Sequence, residues 1–102
     1  MIGNFQGPYV FSQENVQRLD SSYKGVYYIG SPKGTGDMYP YYIGKAYGTG
    51  GIRERLLEHL KNGWTDATCF GFKPSVSAIH IDQHEVEEIK RCNPKYNTQH
   101  TR

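Results

Sequence analysis

The sequence places an arginine and a histidine four positions apart in a segment with helical periodicity. Arg55 and His59 are therefore expected to be neighbours on one face of a helix over residues 52–62. A guanidinium keeps its charge and can donate two parallel hydrogen bonds to an oxyanion, and an imidazole exchanges protons near neutral pH. Considered alone, the pair fits equally well a solvated arginine and a histidine that is hydrogen-bonded to backbone.

Two tyrosines, Tyr27 and Tyr42, lie in separate strand-like segments and are expected on the same face of a sheet. A phenol ionises near pH 10, so it acts as a base at neutral pH only where cations stabilise the phenolate. Lys45 and Arg55 are expected to do so. The residues alone leave open which of the two tyrosines would act as the base. Because the chain has nine tyrosines, packing at the rim of the sheet is the competing interpretation for each.

Glu85 is the candidate metal ligand. One carboxylate, together with waters and phosphate oxygens, is a common way of holding Mg²⁺. The segment from Asp82 to Glu85 also fits a capping box, in which Glu85 would bond the backbone of the N-cap residue. Glu87 and Glu88 are competing carboxylates within one helical turn.

The first half of the chain contains the elements that must position these residues. Residues 24–31 and 39–44 are rich in β-branched and aromatic residues, and the loop between them is too short for a crossover to a parallel strand. They therefore predict an antiparallel hairpin. The apolar residues of 52–62 recur with helical spacing and predict an amphipathic helix. Upstream, Ser12 is expected to cap a short helix.

The second half predicts a third strand and a final helix, with a possible edge segment before that strand. Phe70 and Phe72 alternate as in an edge strand, residues 76–81 predict a buried third strand, and a helix is expected from Asp82 to about Cys92. We therefore expect one domain of the α/β (α+β) class, in which helices flank a small, mainly antiparallel sheet of three strands. Residues 1–23 would form an N-terminal extension with a short helix, and residues 24–97 the core.

Length and composition exclude several classes of protein. The chain has 102 residues, the length of one domain, and its net charge of +2 neither requires nor excludes a polyanionic partner. Cys69 and Cys92 lack the spacing of a zinc knuckle and are too few for a disulfide scaffold. No apolar run is long enough to span a membrane, and the first residues do not resemble a signal peptide. We therefore expect an intracellular protein, cytoplasmic or nucleoid-associated, without a membrane partner.

Two other patterns indicate ligand sites only weakly. The glycine-rich segment 48–51 precedes a helix but lacks the residues of a phosphate-binding loop. His80 and His84 are four apart like a zinc pair, but the strand-to-helix break expected between them would remove a shared helical face.

The ordered combination of these residues is more specific than any one of them. In this order the chain carries Gly25-Val26-Tyr27, Tyr42-Ile43-Gly44-Lys45, Arg55 and His59, Glu85, and Pro94-Lys95-Tyr96-Asn97. This set resembles the GIY-YIG nuclease family over residues 24–97. The chain departs from the family pattern in the long gap between Tyr27 and Tyr42 and in the lack of a separate DNA-targeting region.

The resemblance implies a metal-dependent endonuclease that hydrolyses DNA phosphodiester bonds with one divalent ion, Mg²⁺ or Mn²⁺. DNA is the implied partner, with targeting supplied by a second protein or by a homodimer. The implied catalytic residues are Tyr27, Tyr42, Lys45, Arg55, His59 and Glu85, with Glu85 as the metal ligand and Asn97, Gly25 and Gly44 in support. The alternatives are a non-catalytic nucleic-acid-binding module on the same scaffold and a protein-interaction domain that uses exposed tyrosines.

Overall fold

Four antiparallel strands form the centre of the fold in the computed structural model, which describes residues 2–97. The elements in chain order are β1 (Gln6–Val10), α1 (Gln13–Gln17), β2 (Gly25–Pro32), β3 (Met38–Ala46), α2 (Gly51–Asn62), β4 (Cys69–Pro74) and α3 (Ala78–Cys92). The strand order in the sheet is β1-β4-β2-β3, so β1 and β3 are the two edges. The α+β class is therefore confirmed. Residues 1 and 98–102 of the expected domain lie outside the described residues.

The predicted hairpin is confirmed. Strands β2 and β3 pair antiparallel, with Tyr27 opposite Gly44 and Ile29 opposite Tyr42. This register places both tyrosines on one face of the sheet, as expected, because residues opposite each other in an antiparallel pair share a face. The connection between the strands is only residues 33–37.

The two faces of the sheet pack against different helices. Residues with odd numbers in β2, such as Tyr27 and Ile29, belong to a buried cluster that includes Ile52 and Leu56 of α2. Residues with even numbers, such as Tyr28, pack with residues of α3 on the opposite face. Alternation along the strands thus gives the sheet two apolar faces, and both are covered.

The first two helices are where the sequence predicts them. Ser12 caps α1, and its Oγ accepts a hydrogen bond from the Asn15 amide at 3.2 Å. Helix α2 buries Ile52 and Leu56 against the sheet, as the apolar spacing indicates. Among residues 2–97, no helix combines the length and the apolar content needed to cross a membrane.

The prediction of three strands is wrong, because the N-terminal extension contributes the edge strand β1. Phe70 and Phe72 do lie in a strand, but β4 is an inner strand between β1 and β2, and both phenylalanines are buried. Strand β1 has only five residues and a mostly exposed pattern. An edge strand of this kind carries little apolar alternation, so the sequence pattern does not reveal it.

The predicted strand over residues 76–81 is also wrong. Helix α3 begins at Ala78, and Ser77 caps it through a hydrogen bond from the His80 amide to Ser77 Oγ at 3.3 Å. Val76 is fully exposed, whereas Ile81 is buried at the start of the helical spacing. Asp82 is therefore inside the helix rather than at its N-cap, so the capping-box interpretation of Glu85 is wrong as well.

Candidate active site

Most of the predicted site residues gather along the outer edge of β3, where α2 and α3 contact the strand from opposite faces. Gly44 makes this arrangement possible. A Cβ at Gly44 would lie 2.4 Å from Cζ and 2.5 Å from Oη of Tyr27, so the ring of Tyr27 occupies the space a side chain would fill. The missing side chain lets Tyr27 reach across β3 toward the edge.

Tyr27, His59 and Tyr42 form the centre of the site. Tyr27 Oη and His59 Nε2 are hydrogen-bonded at 2.9 Å. The ring of Tyr42 is 6.2 Å from the ring of Tyr27 and 4.8 Å from that of His59, measured between centroids. The two phenols are also joined by a side-chain hydrogen bond. A hairpin and a helix thus bring three groups that can exchange protons into one chain of contacts.

Burial controls the protonation of the two phenols. It raises the pKa of both Tyr27 and Tyr42, and the charge of Glu85 raises each pKa further, whereas the charge of Arg55 lowers both. The hydrogen bond between the phenols raises the pKa of Tyr27 and lowers that of Tyr42. Arg55 therefore acts in the predicted direction but is outweighed by burial. Both phenols are protonated at neutral pH.

His59 is neutral at pH 7. Burial lowers its pKa from the ordinary value of 6.5, Arg55 lowers it further, and Glu58 partly offsets these effects. A neutral imidazole has one ring nitrogen that can accept a proton. His59 can therefore serve as the proton acceptor at the inner end of the chain of contacts from Tyr42 through Tyr27.

Two cations border the site, and they differ in how tightly they are paired with carboxylates. The side chain of Arg55 is 59% exposed, and its ion pair with Glu58 is long, at 3.8 Å. Lys45 Nζ donates to Asp82 Oδ1 at 2.8 Å and lies 3.7 Å from Glu85 Oε1. The hydrogen bond to Asp82 raises the pKa of Lys45. The sequence pattern indicates only a capping role for Asp82. Asp82 and Glu85 are three positions apart on α3, and this spacing is the sequence signal that one cation could contact both carboxylates.

A cleft of about 640 Å³ opens between β3 and α3. It is lined by Tyr42, Lys45, Glu85, Val86, Ile89, Lys90 and Asn97. The Glu85 side chain is mostly buried, with 17% of its surface exposed. Five of the lining residues come from α3 or from the segment that follows it, so the position of this helix determines the width of the cleft.

Glu85 is the carboxylate in the cleft that could hold a divalent ion. Glu85 lines the cleft beside Tyr42, and carboxylate oxygens are the donors that Mg²⁺ prefers. Within residues 2–97 no group of three or more histidine, cysteine or acidic side chains is arranged to hold a metal. Waters and substrate oxygens would therefore complete the coordination, which is usual for Mg²⁺.

Asn97 and Gly25 have structural roles around the site. Asn97 is buried, and its amide makes two hydrogen bonds to the backbone of Ile43: Oδ1 accepts from the Ile43 N–H at 2.8 Å, and Nδ2 donates to the Ile43 carbonyl at 2.9 Å. These bonds fix β3 beside Tyr42. Gly25 has a φ of +151°, and a Cβ there would lie 2.1 Å from the Lys73 carbonyl oxygen, so only glycine allows β2 and β4 to approach.

Sequence reasoning missed the aromatic stack behind Tyr42. The ring of Trp64 lies 5.3 Å from that of Tyr42 and 5.4 Å from that of His59. Trp64 also stacks on Tyr96, with the ring centroids 4.5 Å apart and 6° between the ring planes. Tyr96 is held by hydrogen bonds to Asp66. Trp64 follows α2 in a loop, where no periodicity indicates which way it points.

The two weaker patterns have local explanations. Gly51 has a φ of +59°, and a Cβ there would lie 2.2 Å from the Tyr23 carbonyl oxygen, so close backbone approach accounts for a glycine at that position. The expected break between His80 and His84 is wrong, because both lie within α3. His84 contacts Tyr28 and Lys73, whereas His80 is exposed.

Comparisons of the chain with models of protein families, with curated proteins and with solved structures gave no match.

Proposed function

We propose that this protein is a metal-dependent endonuclease that hydrolyses DNA phosphodiester bonds at the edge of β3. The observation that carries the proposal is a set of six side chains: Tyr42, Lys45 and Glu85 line one cleft, Tyr27 and His59 are hydrogen-bonded to each other next to Tyr42, and the charge of Arg55 acts on both phenols. They come from four separate elements: Tyr27 from β2, Tyr42 and Lys45 from β3, Arg55 and His59 from α2, and Glu85 from α3. Packing alone does not require this combination of phenols, imidazole, cations and carboxylate.

Arg55 and Lys45 would bind the phosphate. The guanidinium of Arg55 is exposed enough to donate to two non-bridging oxygens, which suits its planar geometry. Lys45 would add a point charge from the other side of Tyr42 after exchanging part of its contact with Asp82 for the phosphate. Both charges stabilise the extra negative charge of the pentacoordinate transition state.

The proton of the attacking water would leave through the tyrosines. Tyr42 lines the cleft, whereas Tyr27 is buried behind it. Tyr42 would take the water proton while passing its own to Tyr27, and Tyr27 would pass its proton to Nε2 of His59. The water oxygen then forms the new P–O bond as the bond to the leaving oxygen breaks. This route needs no resting phenolate, which agrees with the raised pKa of both tyrosines.

Glu85 would hold the divalent ion. When bound there, the ion supplies positive charge to the phosphate oxygens and to the leaving oxygen. Lys45, 3.7 Å from the Glu85 carboxylate, keeps that carboxylate oriented toward β3.

A non-catalytic nucleic-acid-binding module is the second candidate, and the pairing of Lys45 with both Asp82 and Glu85 favours it. Two ion pairs of this kind stabilise the junction of β3 with α3 without any chemistry. In that case Glu85 is a structural partner of Lys45, and its loss would change stability rather than cleavage.

A plasmid-nicking assay with Mg²⁺ or Mn²⁺, repeated with EDTA, separates the two candidates. For the enzyme we expect metal-dependent nicking that falls by about 10²- to 10⁴-fold in Glu85→Gln and in Arg55→Ala. Glu87→Gln is the matched control, because Glu87 is an exposed carboxylate two positions away on the same helix. Retardation of DNA without cleavage by the folded wild-type protein would reject the enzyme in favour of the binding module.

A further inference from the structure

The cleft beside the proposed catalytic groups has an apolar floor. Val86 and Ile89 of α3 line it together with Tyr42, and the Val86 side chain is 49% exposed. An exposed valine next to a charged site contributes nothing to binding a phosphate. Its presence in the lining beside Glu85 therefore points to an apolar group of the ligand.

Two lysines add positive charge at the sides of this apolar floor. Lys45 lies at the β3 side of the cleft and Lys90 on α3. Glu85, Val86, Ile89 and Lys90 recur at helical spacing, so one face of α3 presents a carboxylate, two apolar side chains and an ammonium group in succession. Lys90 is exposed and has no ion-pair partner within residues 2–97.

This order of groups matches a nucleotide whose base is unpaired. The flat faces of a base are apolar and the flanking phosphates are anionic, so a base fits the floor while the phosphates fit the lysines. In a duplex the bases are stacked and only the backbone and groove edges are accessible, so the flat faces of the bases cannot reach the apolar floor.

We infer that the cleft between β3 and α3 binds the base and sugar of one unpaired nucleotide beside the phosphate that is cut. The substrate class is then DNA with single-stranded character rather than intact duplex. This inference rests on the proposed endonuclease function for the chemistry next to the cleft. Tyr42 forms the wall of the cleft, and the stack of Trp64 and Tyr96 behind Tyr42 holds that wall in place.

Binding in EDTA tests the inference without cleavage. Fluorescence anisotropy would be measured with a labelled DNA strand free of self-complementarity, and with the same strand annealed to its complement. We expect the single strand to bind at least about tenfold more tightly than the duplex. Val86→Asn should weaken single-strand binding by about fivefold and leave duplex binding unchanged. Lys90→Gln should weaken it by about threefold and reduce its salt dependence.

Val76→Asn is the matched control. Val76 is fully exposed just before α3 and lies outside the cleft, so the same substitution there should change neither affinity. Thermal unfolding of all variants shows whether each one is folded. Equal or tighter binding of the duplex by the wild type would overturn the inference, and so would an unchanged single-strand affinity in Val86→Asn.

The outcomes distinguish the inference from the function on which it rests. Metal-dependent nicking with no single-strand preference would overturn the assignment of the cleft and leave the endonuclease proposal intact. Selective single-strand binding that depends on Val86, without any cleavage in Mg²⁺ or Mn²⁺, would support the cleft as a nucleotide site and reject the endonuclease.

Discussion

Adjacent residues of β2, Tyr27 and Tyr28, lie at the centres of two clusters of similar composition on opposite faces of the sheet. Each tyrosine contacts a histidine of the helix on its side: Tyr27 contacts His59 of α2, and Tyr28 contacts His84 of α3. Each cluster also includes a glutamate of α3 and basic side chains. We refer to them as the Tyr27 cluster (Tyr27, Tyr42, Lys45, Arg55, His59 and Glu85) and the Tyr28 cluster (Tyr28, Lys73, His84, Glu88 and Arg91).

The two clusters differ in how their charges are paired. In the Tyr28 cluster Glu88 is buried and accepts hydrogen bonds from Tyr28 Oη at 2.7 Å and from Arg91 Nε at 2.7 Å, with Lys73 Nζ at 3.4 Å. The bonds from Arg91 contribute most to lowering the pKa of Glu88 to about 2. In the Tyr27 cluster Lys45 donates to Asp82 Oδ1 at 2.8 Å, but Arg55 and Glu85 have longer ion pairs, 3.8 Å for Arg55 with Glu58 and 3.7 Å for Glu85 with Lys45.

This difference is the basis for assigning a structural role to the Tyr28 cluster and the proposed catalytic role to the Tyr27 cluster. The hydrogen-bonding capacity of Glu88 is used by protein partners, so the Tyr28 cluster is suited to fixing α3 on the sheet. The Tyr27 cluster borders a cleft and has an exposed guanidinium, so its charges can be redirected to a ligand. Residue type alone does not predict activity, and the pairing of charges within each cluster is the better indicator.

The largest expected effect comes from removing one hydroxyl from each cluster in turn. Tyr27→Phe should reduce nicking by about 10²- to 10⁴-fold, because it interrupts the proton route to His59. Tyr28→Phe should leave nicking unchanged and lower the free energy of unfolding by about 1.5–3 kcal/mol, because Glu88 loses a hydrogen bond. The measurements are nicking rates and urea unfolding. Equal effects of the two variants on nicking would contradict the distinction between the clusters.

The two histidines give the second prediction, which concerns pH. The pKa of His59 is lowered below 6.5, and the proposed route needs the neutral ring, so the nicking rate should rise as the pH increases through that lowered pKa. His59→Gln should reduce nicking by about 10²-fold and remove this acidic limb of the pH profile. His84→Gln is the control on the other face. If the acidic limb of the pH profile persists unchanged in His59→Gln, a group other than His59 is responsible for it.

How far these clusters can be anticipated from sequence depends on the kind of information that places them. The hairpin and α2 carry strong local patterns, so the positions of Tyr27, Tyr42, Arg55 and His59 on their elements are predictable. The sequence predicts that α3 begins at Asp82 because the apolar residues of 76–81 indicate a strand up to Ile81. In the structure Ser77 caps the helix, and Ile81 is buried by packing against the sheet. The start of the helix therefore depends on a tertiary contact as well as on the cap.

Features that depend on tertiary contacts could not be predicted. Asn97 is separated from Ile43 by more than fifty residues, and only the folded chain shows that its amide bonds the backbone of β3. The stack on Trp64 and the pairing of Glu88 with Lys73 are of the same kind. Helical spacing brings Glu88 and Arg91 together, but it does not indicate that Tyr28 also contacts them.

The third prediction addresses stability in acid. The pKa of Glu88 is lowered to about 2 from the ordinary 4.5, so its ionised form stabilises the fold above pH 4.5, and this stabilisation is lost as the pH falls toward 2. Glu88→Gln should lower the free energy of unfolding at pH 7 by about 2–3 kcal/mol. The variant should also lose stability less steeply than the wild type between pH 4.5 and 2, measured by urea unfolding at each pH. A Glu85→Gln variant with the same loss of stability would erase the contrast between the two glutamates.

The smallest expected effect is that of Gly44→Ala, which alters the position of Tyr27 without removing any functional group. The added Cβ would lie 2.4 Å from the ring, so the ring must shift, while the Tyr28 cluster on the other face is untouched. We expect a loss of about 1–2 kcal/mol in the free energy of unfolding and a decrease of about tenfold in nicking. Gly48→Ala is the control, because a Cβ there has no neighbouring atom within 4 Å. If Gly44→Ala loses stability but nicks DNA at the wild-type rate, the position of Tyr27 does not matter for the reaction, and the Tyr27 cluster is structural like its counterpart on the opposite face.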